Sequence, residues 1–193
     1  ALSSDILISA KQSGAAIGSI HPLQAFAPYV EGQSSQFSGI NISIEGDDAA
    51  VSVGKSIVEA LGASSFTIPT RAKTLYHASA VVASNYLVTL EHFALRLLAE
   101  ADLPEDQAYA ILEPLIMGTL KNIKAKGSVK ALTGPVARGD DEIVRRHLAG
   151  IDRDLPGFSN LYRILGQYTV EIADQGGTLT PEAGQALAGL FKL

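Results

Sequence analysis

Apolar positions change their rhythm about a third of the way along the chain. Up to residue 69 they come in short runs separated by Gly, Ser and Pro, the pattern of strands and turns. Residues 15–20 (AAIGSI) form an apolar run that predicts a buried strand, followed at once by His21-Pro22. Residues 40–44 (INISI) alternate with period two, which predicts a strand with two unlike faces. Asp47 and Asp48 open an amphipathic helix to about Leu61, where Gly62 stops it, and residues 65–68 (SFTI) make a third strand ended by Pro69. Strand, helix, strand in that order marks an α/β layer. Residues 24–38, rich in Gln, Ser and Gly, predict a loop.

From Thr70 onward almost everything carries helical period. Arg71 to about Glu100 predicts one helix of roughly 45 Å, free of Gly and Pro. Leu75, Val82, Tyr86 and Phe93 fall on one side of it and Leu87, Leu90, Leu97 and Leu98 on another, so burial on several sides is expected. A second helix runs from about Glu105 to Lys126, with a kink expected at Pro114 and Gly127 closing it. Three more follow: one capped by Asp140 or Asp141 and reaching about Ala149, one capped by Ser159 and reaching about Asp174, and a last one opened by Thr180-Pro181. The boundary of character divides the chain into residues 1–69 and 70–193.

Composition narrows the function classes. With 47% hydrophobic and 18% charged residues, the chain is too apolar for disorder, and it has no run long enough to span a bilayer. Its net charge of -5 and lack of a basic arm argue against a nucleic-acid partner. The absence of cysteine removes disulfides, thiolate nucleophiles and Cys-ligated metals, consistent with a cytoplasmic setting. No metal site is expected. The chain begins Ala1-Leu2-Ser3-Ser4, without Met or a signal-peptide pattern, as if it starts inside a larger protein.

Polar residues interrupt the apolar pattern in three places. His21 and Gln24 directly follow a predicted strand, where open α/β sheets collect ligands, although a solvated turn histidine is the plain alternative. On the long helix, Lys73, His77 and Ser84 fall within about 40° of one another at 100° per residue, with Asn85 roughly 80° round from His77. A Lys or His that donates a proton beside an Asn that orients a carbonyl is equipment for reducing a carbonyl or imine, and such groups also serve as buried hydrogen-bond pins. The third interruption is Thr119 and Asn122, followed by Thr133 and Arg138 in the run ALTGPVARGDD. Thr133-Gly134-Pro135 reads as the start of a short helix, while Arg138 has the planar fork for a substrate carboxylate. His92, His147 and Arg145-Arg146 read as solvated helix faces. Neither a Walker loop nor HExxH, GxSxG or GxGxxG is present.

Three of these stretches, residues 17–26 (IGSIHPLQAF), 76–85 (YHASAVVASN) and 131–140 (ALTGPVARGD), resemble the signature segments of bacterial Rossmann-like proteins carrying the domain of unknown function 2520. Members are often labelled NADP oxidoreductases of the deazaflavin-dependent type. Their helical domain is similar to the C-terminal domains of pyrroline-5-carboxylate reductase, ketopantoate reductase and 6-phosphogluconate dehydrogenase. The resemblance implies an α+β chain: the closing part of a Rossmann-like sheet over residues 1–69, then an all-α substrate and dimerisation domain over 70–193. It implies hydride transfer from NADP or NAD to a carbonyl or imine of a small anionic substrate such as a 2-oxo acid. Catalysis would fall to Lys73, His77 and Asn85, substrate binding to Ser84, Thr119, Asn122, Thr133 and Arg138, and the nicotinamide border to His21 and Gln24. The glycine-rich turn that would hold the pyrophosphate is absent from these residues, so the cofactor would bind mainly through a preceding domain and the chain alone would be inactive. A homodimer through the helical domain is expected, and a non-catalytic binding or dimerisation module that kept the fold is the alternative.

Overall fold

Alternation along residues 41–46 builds the first layer. The computed structural model describes residues 2–28 and 35–193, so the Ala1 start and the middle of the expected 24–38 loop lie outside the described residues. Strands β1 (Gly18–Pro22), β2 (Asn41–Gly46) and β3 (Ser64–Thr67) form a mixed sheet in the order β1-β2-β3. β1 runs antiparallel to β2, pairing Ser19 with Glu45 and His21 with Ser43, and β3 runs parallel to β2, pairing Phe66 with Ser43. Helix α1 (Ile8–Gln12), absent from the sequence pattern, precedes the sheet, and α2 (Asp48–Ala60) joins β2 to β3 as the expected strand-helix-strand unit.

The two faces of β2 bury different chemistry. Ile42 and Ile44 pack with Val58 of α2, and Val51 and Leu61 close round them. The other face carries Ser19, His21, Ser43, Glu45 and Phe66, because side chains alternate along each strand and paired residues share a face. A 3-10 turn (Thr70–Ala72) and helix α3 (Lys73–Val81) supply the groups that meet this polar face. Asp47 does not cap α2 with its side chain. Its carboxylate instead accepts the Ile17 amide at 3.1 Å and pairs with Lys11, tying α1 and β1 to the end of β2.

Two expectations about this half need correction. β1 extends through His21 and Pro22 rather than ending before them, because pairing with β2 continues to Pro22 opposite Ile42, on an edge strand that tolerates proline. The helix expected from Arg71 to Glu100 is a continuous helical run that changes type: α3, a π-helical turn (Val82–Tyr86), then α4 (Leu87–Glu100). Nor is it buried on several sides. Leu75, Val82, Tyr86 and Val88 are exposed, since no described residue covers that face, whereas Phe93 is buried.

The remaining elements are helices: α5 (Glu105–Lys126), α6 (Ser128–Ala131), α7 (Pro135–Arg138), α8 (Asp141–Asp154), α9 (Ser159–Gln175) and α10 (Pro181–Leu190). Pro114 sits inside α5, and Gly127, at φ +78°, ends it. Asp140 caps α8 by accepting the Ile143 amide, and Thr180 caps α10 by accepting the Ala183 amide. Ser159 does not cap α9; it is the first helical residue, and its hydroxyl donates to Asp152. One core gathers Val144, Leu148, Val170, Leu187 and Phe191, and another stacks Phe93 on Phe158 beside Ile151 and Leu155. By their internal contacts the residues form two compact units, Ala1–Leu90 and Glu91–Leu193, so the start of the long helical run groups with the sheet.

Candidate active site

The polar face of the sheet holds a carboxyl and an amine out of water. Glu45, 1% exposed, accepts three hydrogen bonds: the Ser4 amide at 2.8 Å, the Ser4 hydroxyl at 2.7 Å and the Thr70 hydroxyl at 2.8 Å. Burial alone would push its carboxyl up, but the Ser4 and Thr70 donors and the nearby Lys73 ammonium outweigh it and hold Glu45 below its ordinary value. Lys73, 2% exposed, donates to the Ser19 hydroxyl at 3.1 Å and lies 5.9 Å from the Tyr76 ring centre, within cation–π range. Its burial draws it below the usual lysine value, partly countered by Glu45.

One step further along β1 stands His21. Its ring meets Tyr76 edge-on at 5.6 Å and His77 at 5.5 Å, both from α3, one helical residue apart. Burial, then the positive charge of Lys73, then His77 hold His21 below the ordinary histidine value. Its Nδ1 and the Tyr76 hydroxyl are buried, and among the described residues neither has a hydrogen-bond partner. Two orphaned polar atoms in one aromatic cluster leave bonding capacity for a ligand or an ordered water.

In front of this cluster opens a cleft of about 500 Å³, lined by residues 21–25 on one side and by His77, Ser79, Ala80, Val81, Ala83, Ser84 and Asn85 on the other. The structure therefore brings together His21, Gln24, His77, Ser84 and Asn85. Lys73 lies behind the cleft and does not line it. Ser84 and Asn85 lie in the π-helical turn, and both line the cleft with His77. The strand-end reason for expecting chemistry at His21 fails. β1 is antiparallel, so its carboxyl end lies with the amino ends of β2 and β3, and His21 owes its position to the face it shares with Glu45.

The other expected site residues lie in the second unit. Thr119 and Asn122 are exposed on α5, the Thr119 hydroxyl bonding to the Leu115 carbonyl at 2.9 Å. Thr133 precedes α7 and Arg138 ends it, both exposed. His147, read as a solvated face, is exposed but pairs with the Tyr162 hydroxyl at 2.8 Å, while Arg145 and Arg146 make i,i+4 pairs with Asp141 and Glu142. Sequence reasoning passed over Ser4, Ser19, Glu45, Thr70 and Tyr76. The signal for Ser19 and Glu45 was their period-two spacing from His21 and Ser43; Ser4 and Thr70 carried none. Among the described residues no group of three or more His, Asp or Glu is placed to hold a metal, and no helix is long and apolar enough to cross a membrane.

Comparison with known proteins places this geometry in a family. A profile described as "Domain of unknown function (DUF2520)" matches residues 40–169. The chain is similar to the crystal structure of protein TM1727 from Thermotoga maritima, with a TM-score of 0.70 and 32% identity, covering 90% of this chain and 66% of that one. It is also similar to a "putative NADP oxidoreductase BF3122" from Bacteroides fragilis, with a TM-score of 0.65 and 25% identity, covering 81% of this chain and 57% of that one. The chain thus spans less than two thirds of the length of either structure. No curated protein matches it.

Proposed function

The chain belongs to the DUF2520 family and has its Rossmann-like α+β fold, and from this premise we propose that it forms the substrate side of an NAD(P)-dependent reductase acting on a carbonyl or imine. The observation that carries the reading is the cleft itself, where His21, Gln24, His77, Ser84 and Asn85 meet in front of a buried carboxyl and amine. Among the described residues its lining includes polar side chains but no Lys, Arg, Asp or Glu, which suits the uncharged carboxamide end of a nicotinamide. It does not suit a pyrophosphate, which wants cations or a glycine-rich turn at a helix N-terminus. His21 and Gln24 would border the nicotinamide, the rest of the dinucleotide being held elsewhere.

When bound, a reduced nicotinamide supplies the hydride. The chain's residues do the rest: Asn85 and Ser84 orient the acceptor's oxygen or nitrogen, and a basic residue of α3, His77 or Lys73, delivers the proton that neutralises it. A comparison of 2-oxo acids with uncharged aldehydes reads out whether the substrate carries a carboxylate. For the reading as a whole, NADPH consumption is measured across 2-oxo acids, aldehydes and cyclic imines with the gene product that contains this chain. A substrate-dependent rate that falls about 100-fold or more in Asn85→Ala supports it; no turnover with any member overturns it.

One observation favours the second reading, a self-associating module. On α5, Leu115 and Met117 are 69% and 58% exposed, and Tyr109, Ile111, Leu120 and Ile123 are exposed with them. An apolar surface this extensive on one helix fits contact with a second copy of the chain. The two readings are compatible, and the oligomeric state is tested separately below.

A further inference from the structure

Lys73 and His77 stand one helical turn apart at the amino end of α3, and either could carry a proton. We infer that they have different tasks: Lys73 is a positioning residue acting through Ser19 and His21, and His77 is the group that passes a proton at the cleft. This rests on the reductase reading for its chemistry but not for its geometry.

A proton donor must come within hydrogen-bond reach of the atom it serves. His77 lines the cleft; Lys73 does not, and at 2% exposure it is out of reach of solvent. Its one hydrogen bond among the described residues goes to the Ser19 hydroxyl, two residues before His21 on the same face of β1. Glu45 lies close enough on β2 to influence its charge but makes no hydrogen bond to it, its own bonds going to Ser4 and Thr70. The arrangement is a fixed positive charge behind a histidine. His21 faces Lys73, Tyr76 and His77 from α3 and shares its sheet face with Glu45, and burial first, then the Lys73 charge, makes a positive charge on that ring costly. A neutral His21 keeps one ring nitrogen as a donor and one as an acceptor, the state suited to binding a carboxamide. Ser19, half-buried in a short strand, becomes the anchor that sets where the charge sits.

The test needs no turnover. The imidazole signals of the chain's four histidines are followed by NMR against pH in the wild type, in Lys73→Met and in Lys73→Arg. His21 is expected to titrate below the ordinary histidine value in the wild type, to rise in Lys73→Met, and to stay near its wild-type midpoint in Lys73→Arg, which keeps the charge. His21 titrating at or above the ordinary histidine value, or moving equally in both variants, would overturn the inference. Should Lys73→Met fail to fold, acylation footprinting of the wild type decides: Lys73 is expected to react far more slowly than Lys55 or Lys121, and equal labelling would show an amine open to a substrate. If turnover is found, Lys73→Arg should keep most of it while His77→Asn loses about 100-fold or more; the reverse ranking sinks the assignment. Absence of any turnover bears on the reductase reading alone, because the titration and the footprinting stand without it.

Discussion

Glu45 is the residue on which the first unit's stability turns. A carboxylate with 1% exposure is tolerated because three hydrogen bonds and a nearby ammonium replace its water. Glu45→Ala strands the Ser4 and Thr70 donors and leaves Lys73 without its counter-charge, and should cost about 2 to 4 kcal/mol, read from urea unfolding. Acid acts on the same pair. Glu45 lies below its ordinary 4.5 when folded, so its contribution is complete above that value and is lost as pH falls through the folded one. His21 is also held low, so the unfolded chain takes up its proton first, and stability declines as pH drops from 6.5 toward the folded value. Chemical unfolding between pH 7 and 3 should therefore show two declines, and Glu45→Gln should remove the more acidic one and leave the other. Alternation with Ile42 and Ile44 told which face Glu45 occupies. It could not tell that the face was covered, since the partners Ser4 and Thr70 are ordinary small polar residues far away in sequence.

At the scale of elements, local pattern was legible and its exceptions were set by tertiary contacts. The β2-α2-β3 unit follows from period two, an acidic helix start and Gly62. The extension of β1 to Pro22 does not, because strand pairing rather than composition decides where an edge strand stops. The π-helical turn between α3 and α4 left no mark either; Ser84 and Asn85, which line the cleft, lie within it. In the second unit, the close approach of α9 to Phe191 depends on Gly166, where a methyl group would sit 2.2 Å from the ring. Gly166→Ala should therefore destabilise this unit by about 1 to 3 kcal/mol despite alanine's better helix propensity, a sign that thermal unfolding can check. Introducing charge on α5, as Leu115→Glu with Met117→Glu, should lower the apparent mass in analytical ultracentrifugation toward that of a monomer while leaving the helical circular dichroism unchanged. An unchanged mass would remove the case for self-association through this helix.

Across the whole molecule, the α+β class and the family could be read from three sequence stretches, and the structure adds what those stretches do together. Two of them, residues 17–26 and 76–85, face each other across the cleft; the third, residues 131–140, caps a helix in the second unit with Asp140 and carries Arg138 at the end of α7. Motif recognition named the residues without ranking them. Burial ranks them, placing Lys73 behind His21 and leaving His77 at the surface of the cleft. Reductase chemistry at that cleft is the central claim. The most direct measurement is isotope transfer: NADPH deuterated at the reactive carbon is incubated with the gene product and a panel of 2-oxo acids and cyclic imines, and products are weighed by mass spectrometry. One deuterium should appear in a product, and His77→Asn should cut its rate of appearance about 100-fold or more. No deuterium in any product, or equal transfer in the variant, would contradict the account.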